Sequence, residues 1–303
     1  MQQVLVATPI SATFQRFLQD KGYTLVSMEE QNKVGEITGI VTSNKLQLDE
    51  AKLSTFPQLR WIARLGSGME IIDTACCDRR GIHYFSSPAG IANSVGEHTL
   101  GLLLSLLHHI PRSFNEIRDG YWIREANRGH ELENRRVGLI GYGHTGAAVA
   151  SKLKAFTPHI MAYDKYQQGF GNETVQEVSL EQIQQEADIL SFHVPLNQET
   201  RHYYNPAFLS SMKNPHILIN VSRGAVCNTE VILEGLTSGK ITGACLDVLE
   251  EEKEMTTLLK QEDNIIHQLL AFPVLLTPHI AGYSHEAIEK MSAELMNQLK
   301  AVL

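Results

Sequence analysis

Cysteine is scarce in this chain. Its 303 residues hold four, Cys76, Cys77, Cys227 and Cys245. Two of these are neighbours and none forms a C-x-x-C pair, which argues against a disulfide framework or a zinc ribbon. So few thiols suit a reducing compartment. Positive charge is also short. There are 26 Lys and Arg against 34 Asp and Glu, a net charge of −8, with no basic block. Nucleic acid and anionic membrane surfaces are therefore not expected as partners. Long apolar runs are missing too. The run at 100–107 is too short to span a bilayer and meets His108 and His109. Those two histidines lack the i, i+4 spacing of helical metal ligands, so no metal is assigned. The N-terminus has no basic segment and no long apolar core, and reads as a first strand instead of a signal peptide. A cytoplasmic protein is expected.

What remains is the composition of a packed soluble protein, 43% hydrophobic and 20% charged, long enough for two domains. One stretch organises it. Residues 137–164 read VGLIGYGHTGAAVASKLKAFTPHIMAYD. A short apolar run, Val137–Ile140, is followed by Gly141, Gly143 and Gly146 at the spacing G-x-G-x-x-G, then by a helical pattern at 147–155. A second apolar run ends in Asp164. In that context each part has a physical task. Gly141 permits the turn out of the strand, Gly143 lets a pyrophosphate approach the backbone, and Gly146 lets the helix pack close to the sheet. The helix N-terminus offers N–H groups and a positive dipole end to phosphates. Asp164 can accept both ribose hydroxyls of an adenosine and repels a 2′-phosphate, which favours NAD over NADP. Lys165 follows and weakens that preference a little.

Upstream, strands are expected at 4–8, 23–27, 39–42, 59–64 and 82–85, with a helix that Ser11 caps between the first two. Strands alternating with helices imply a parallel sheet with right-handed crossovers. The loop Arg64-Leu65-Gly66-Ser67-Gly68 either presents backbone N–H groups to a carboxylate or is an ordinary strand-to-helix turn. The segment 86–90 reads as a plain turn. A long apolar helix is expected from Val95 to about Ile110, stopped by Pro111. Residues 115–133 read as a connection between domains, with Tyr121 and Trp122 as packing anchors. Six further strands are expected at 137–140, 159–163, 189–194, 216–221, 241–248 and 274–277. Helices at 147–155, 180–187, 206–212 and 229–238 separate them, which completes a doubly wound sheet. A last amphipathic helix, 284–302, is expected to return to the first domain.

Ligands of such sheets bind beyond the carboxyl ends of the strands. There the chain carries Gly141–Gly146, Asp164, His193-Val194-Pro195, Asn220 to Gly224, Asp247 to Glu252 and Thr277-Pro278-His279. An arginine, an acidic cluster and a histidine on one face form a set able to move a hydride and a proton. Arg223 can grip a carboxylate with its planar fork. His279 can exchange a proton near neutral pH, with a nearby carboxylate orienting its imidazole. Each has a plainer alternative, a surface ion pair for Arg223 and one histidine among thirteen for His279. His193, on an apolar strand, reads as a hydrogen-bonded wall residue.

These residues sit in motifs that resemble the D-isomer-specific 2-hydroxyacid dehydrogenase family over almost the whole chain. The motifs are RLGSGMEIID at 64–73, GLIGYGHTG at 138–146, ADILSFHVPLNQETRHYYN at 187–205, LINVSRGAVCNTEVILEGLTSGKITGACLDV at 218–248 and LTPHIAG at 276–282. The resemblance implies two Rossmann/flavodoxin-like doubly wound parallel-sheet domains with a cleft between them. The substrate domain would comprise residues 1–97 plus 284–303, and the NAD-binding domain residues 98–283. It implies that Arg223 binds the substrate's carboxylate and carbonyl oxygen, that His279 is the acid/base, and that Glu252 is its acidic partner. It implies NAD contacts from His144, Thr145, Asp164, Val221, Ser222, Arg223, Asp247 and His279 through Gly282, beside Val194 and Pro195 at their strand end. Ser67 and Gly68 match the loop that meets the substrate. The family usually has proline after its glutamate, where this chain has Lys253. The register among Glu250, Glu251 and Glu252 therefore stays open. The implied activity is hydride transfer between NAD and a small 2-hydroxy or 2-oxo acid of the phosphoglycerate, glyoxylate or hydroxypyruvate class, by a homodimer. Arg64 and Arg124 are the candidates for a substrate phosphate. The alternative is an NAD-sensing, corepressor-like binding protein without turnover. The chain closes almost at its last helix, with no long tail for partners, which weighs against it.

Overall fold

Two parallel sheets account for the alternation of strands and helices. The computed structural model describes residues 2–29, 35–44 and 46–303. The chain divides into two compact units, one of Met1–Ser94 with Gly282–Leu303 and one of Val95–Ala281.

The first unit holds β1 (Gln2–Val6), α1 (Ala12–Asp20), β2 (Tyr23–Ser27), β3 (Ile37–Thr42), α2 (Glu50–Ser54), β4 (Trp61–Arg64), α3 (Thr74–Arg80) and β5 (His83–Ser86). The strands pair in the order β2-β1-β3-β4-β5, all parallel. That is the flavodoxin-like order. β3 and β4 are buried along their whole length, as continuous apolar strands in a covered parallel sheet must be. Ser11 caps α1 as expected, accepting from the N–H of Phe14. Leu5, Ile40, Leu53, Phe56 and Ile62 form the core on one face of this sheet.

The long helix α4 (Pro88–Leu107) begins earlier than its apolar run suggested, so 88–90 is helix and not turn. Pro88 is its first residue, where proline's missing N–H costs nothing. Nor does Pro111 stop it. The chain turns at His109, whose φ is 52°, and Pro111 lies in the first turn of α5 (Ile110–Arg118). The division between units falls inside α4. Residues 115–133 consequently lie within the second unit and do not link the two. Tyr121 and Trp122 are not packing anchors either, being 63% and 84% exposed.

The second unit continues with β6 (Val137–Ile140), α6 (His144–Leu153), β7 (Ile160–Tyr163), β8 (Val175–Glu177), α7 (Leu180–Glu186), β9 (Ile189–Phe192), α8 (Pro206–Ser211), β10 (His216–Asn220), α9 (Thr229–Thr237), β11 (Ile241–Leu246), α10 (Met255–Leu258), α11 (Ile265–Leu270) and β12 (Val274–Leu276). Its sheet has seven strands in the order β12-β11-β10-β9-β6-β7-β8, again parallel throughout. The order reverses between β6 and β9, the switch point at which doubly wound sheets bind ligands. Six of the seven strands were expected. β8 is a three-residue edge strand, too short to show a period. Phe192, Tyr204 and Phe208 meet edge-on or tilted at the centre of one core, with ring centroids 5.4 to 6.0 Å apart.

The last helix, α12 (His285–Leu299), closes the first unit. Ser292 Oγ accepts from the N–H of Ser11 at 3.2 Å and Glu294 Oε2 from the N–H of Gly90 at 2.7 Å. Gln298 donates to the carbonyl of Ser86 at 2.9 Å. Among the described residues, no helix is long and apolar enough to cross a membrane.

Candidate active site

The glycine turn is built as its spacing requires. Gly141 has φ +95°, and a Cβ there would sit 2.6 Å from the carbonyl oxygen of His193. A Cβ on Gly146 would sit 2.1 Å from the carbonyl oxygen of Gly141. Gly143 is the opposite case, with nothing within 4 Å of the Cβ position. It is also the N-cap of α6 and offers no side chain to the helix end. The N-terminus of α6, with His144 exposed and Thr145 half-buried, is therefore an open cradle for an anion, and the residues present fit a dinucleotide's pyrophosphate. Val194 lines Gly141 from the next loop, and Pro195 beyond it is exposed. His193 is buried, with Nε2 2.9 Å from Ser191 Oγ, and burial pushes its pKa down to about 4. It is the wall residue that its apolar strand suggested.

Asp164 follows β7. Its carboxylate accepts from the backbone N–H of Tyr142 at 2.8 Å, Tyr166 at 2.9 Å and Gln167 at 3.0 Å. The acid is thereby fixed beside the glycine turn, and Tyr142 stacks on Phe170 at 4.5 Å.

Neighbouring strands β10, β11 and β12 deliver the other candidates, because parallel strands end on the same edge. Val221, Ser222 and Arg223 follow β10. Arg223 has extended backbone, is half-buried, and donates from Nη1 to the carbonyl of Ser222 at 2.7 Å. Asn220 Nδ2 holds the Arg223 carbonyl at 2.9 Å. The next residue explains how close the loops lie. A Cβ on Gly224 would come within 1.9 Å of the carbonyl oxygen of Leu249, so this loop rests directly on the backbone that leads to Glu252.

The three adjacent glutamates separate cleanly. Glu250 Oε1 lies 2.5 Å from His202 Nε2, and its other oxygen accepts from the N–H of Thr229 at 3.0 Å. Glu251 accepts from Thr229 Oγ1 at 2.9 Å. Both tie the loop to the start of α9. Glu252 instead reaches His279, with Oε1 2.6 Å from Nδ1. A carboxylate beside Nδ1 accepts a hydrogen bond from the N–H there, which leaves Nε2 as the ring nitrogen for a reacting group.

His279 stands on a strained turn, with φ 55°, left-handed for a residue that has a Cβ. Asp247 holds that turn. Its carbonyl accepts from the N–H of His279 at 2.9 Å. Its carboxylate accepts from the N–H of Ile280 and Ala281 at 2.9 and 2.8 Å and from Thr277 Oγ1 at 2.6 Å. His98 Nε2, on α4, lies 3.1 Å from Thr277 Oγ1. Burial pushes the pKa of Asp247 up, but the hydrogen bonds from His98, Thr277, Ala281 and Ile280 outweigh it and leave the group lowered. Asp247 is only 1% exposed, so its carboxylate serves the turn. Sequence alone left His98 without a role, since nothing in an apolar helix marks one polar residue as the partner of a distant loop.

In the first unit, Ser67 is half-buried and Gly68 buried on the loop after β4, whose Gly66 N–H donates to Ser87 Oγ at 3.0 Å. Gly282 opens that unit's second segment beside Ile91.

Residues 100–281 match the family model described as D-isomer specific 2-hydroxyacid dehydrogenase, NAD binding domain. The chain is 32% identical to a hydroxypyruvate reductase of Thermotoga maritima, over 98% of this chain and 97% of that one. It is 32% identical to a glyoxylate reductase of Pyrococcus furiosus, over 87% and 78%. Among solved structures, D-lactate dehydrogenase from Aquifex aeolicus, complexed with NAD and lactic acid, superposes with a TM-score of 0.84. It shares 27% identity over 99% of this chain and 95% of that one. Nothing among these relatives favours the corepressor reading. The chain belongs to the D-isomer-specific 2-hydroxyacid dehydrogenases, and is an oxidoreductase that uses NAD.

Proposed function

We propose that the chain reduces a small, unphosphorylated 2-oxo acid of the glyoxylate or hydroxypyruvate class, with Arg223, Glu252 and His279 as its catalytic residues. The observation that carries this is the 2.6 Å pair of His279 Nδ1 and Glu252 Oε1, on loops adjoining the one that presents Arg223. When bound, NADH supplies the hydride that goes to the carbonyl carbon. Arg223 holds the carboxylate and draws charge toward the carbonyl oxygen. His279 gives its Nε2 proton to that oxygen, and Glu252 keeps the Nδ1 proton and the ring's orientation. Gly141, Gly143, His144, Thr145, Gly146, Asp164, Val194, Pro195, Val221, Ser222, Arg223, Asp247, His279 and Gly282 form the proposed cofactor-binding set, and Ser67, Gly68, Arg223 and His279 the substrate-binding residues.

Neither candidate arginine stands free for a substrate phosphate. Arg64 is 2% exposed and lies 3.8 Å from Glu70, so its charge is already countered inside the first unit. Arg124 is exposed and lies 3.8 Å from Glu125.

A homodimer is proposed on the exposed apolar stripe of Ile110, Phe114 and Ile117 along α5, continued by Tyr121, Trp122 and Ile123. A patch of this kind marks an interaction surface. Four buried free cysteines fit a cytoplasmic setting.

The test is NADH oxidation with glyoxylate, hydroxypyruvate and phosphohydroxypyruvate, followed by loss of the reduced-nicotinamide absorbance. The expected order of kcat/KM places the phosphorylated acid last. A higher kcat/KM for phosphohydroxypyruvate overturns the substrate class.

A further inference from the structure

Between β9 and β7 in the second sheet lies β6, the strand that enters the glycine turn. Any bond between the loops after β7 and β9 therefore passes over the carboxyl end of β6. Two such bonds exist, and both end on Glu199. Lys165 Nζ donates to Glu199 Oε2 at 2.6 Å, and the Tyr166 hydroxyl donates to the same oxygen at 2.5 Å. The loop bearing Glu199 is itself fixed. Its N–H and that of Thr200 donate to Asn197 Oδ1 at 2.9 and 3.0 Å, and Thr200 Oγ1 donates to the carbonyl of Pro195 at 2.5 Å. Lys165, in turn, directly follows Asp164, whose carboxylate three backbone N–H groups hold in place. The hydrogen bond from Lys165 lowers the pKa of the Glu199 carboxyl, and the same bond raises that of the Lys165 ammonium, so the pair is ionised at neutral pH.

The residue after the ribose-binding acid is the natural place for a cation that meets an adenosine 2′-phosphate. Here that cation is present but spoken for, and its partner adds a second carboxylate to the rim. We propose that Glu199 is a specificity-determining residue for the cofactor, excluding adenosine 2′-phosphates by holding Lys165. The inference rests on placing the adenosine ribose at Asp164. Lys165 and Glu199 are both half exposed, so water and salt screen the pair and the effect is moderate.

The experiment measures dissociation constants of NADH and NADPH for the full chain by nicotinamide fluorescence. Calorimetry with ADP and its 2′-phosphorylated counterpart repeats the comparison without the nicotinamide. In Glu199→Gln the ratio of the NADPH to the NADH constant should fall roughly fivefold, the scale of one screened charge pair. Adding Lys165→Ala to that variant should restore the wild-type ratio. An unchanged ratio in the single variant, or a gain that survives in the double variant, overturns the proposal. Asp164→Ala tests the ribose placement separately. It should weaken NADH binding, and wild-type affinity in that variant would remove the placement and the proposal with it.

Discussion

The hydroxyl of Thr277 donates to Asp247 Oδ1 at 2.6 Å, and through that bond the strand β12 fixes the acid that folds the chain around His279. Three donors converge on one buried carboxylate, one of them, Thr277, itself bonded to His98, and His279, which they position, sits at a φ that a non-glycine residue adopts at a cost.

Asp247→Asn should therefore injure catalysis more than its size suggests. An amide has one acceptor oxygen, so at least one of the N–H groups of Ile280 and Ala281 or the Thr277 hydroxyl loses its partner, at about 1–3 kcal/mol. Freed from its clamp, His279 drifts, and misplacement on the order of 1 Å costs about a hundredfold in turnover. Steady-state kinetics and thermal melts measure the two effects. The carboxyl is lowered in the folded state, so its contribution is present above the unfolded value of 3.8 and is lost as pH falls below it. In the Asn variant that acid-side loss should shrink.

Glu250 and Glu252, two residues apart, should fail differently. Glu252→Gln keeps the shape but not the charge that holds the Nδ1 proton, and kcat should fall by about a hundredfold or more with little change in melting temperature. Glu250→Ala breaks the bonds to His202 and to the N–H of Thr229 and should cost about 1 kcal/mol of stability, as the loss of a helix-end acceptor does. Its kcat should fall less than that of the Glu252 variant. If Glu250→Ala proves the more damaging to kcat, the acidic partner of His279 has been assigned two residues too late.

Two histidines with no part in the reaction make folding sensitive to mild acid. His193 is buried, and His216 is buried against the Tyr204 hydroxyl, with Nε2 2.9 Å from it. Burial pushes each pKa down to about 4. The unfolded chain takes up protons from about pH 6.5 downward, whereas the folded chain does so only near pH 4. Stability is therefore full above 6.5 and declines between 6.5 and 4, by up to about 3 kcal/mol for each histidine. Urea unfolding across this range should show the decline, and His216→Gln should flatten it. A flat profile in the wild type would mean that water reaches both rings.

The two parallel sheets were legible because continuous apolar strands alternate with capped helices, and a parallel sheet leaves little other way to cover both faces. The glycine turn was legible for the same local reason, since strand, turn and helix are consecutive. What the sequence hid was tertiary. Which of Glu250, Glu251 and Glu252 turns toward His279 depends on His202 and Thr229, residues at least twenty positions away. Pro88 and Pro111 each read as a break in local terms, yet both stand at helix starts, where the absent N–H costs nothing. Trp122, expected as a packing anchor in a mostly polar stretch, is open to solvent because nothing in the described chain covers it.

Trp122 is not alone in its exposure. Ile110, Phe114 and Ile117 recur at i, i+4 and i+7, which places them on one face of α5, and Phe114 is 65% exposed. A single chain gains nothing by presenting such a stripe to water, while a two-fold pairing of α5 with its copy would bury it symmetrically. Phe114→Asp combined with Trp122→Ser should convert the proposed dimer to monomer in light scattering behind a sizing column. The interior of each unit is untouched by these exposed positions, so the far-ultraviolet circular dichroism of the variant should match the wild type. A wild-type protein that runs as a monomer at micromolar concentration would remove the dimer, and the stripe would then need another partner.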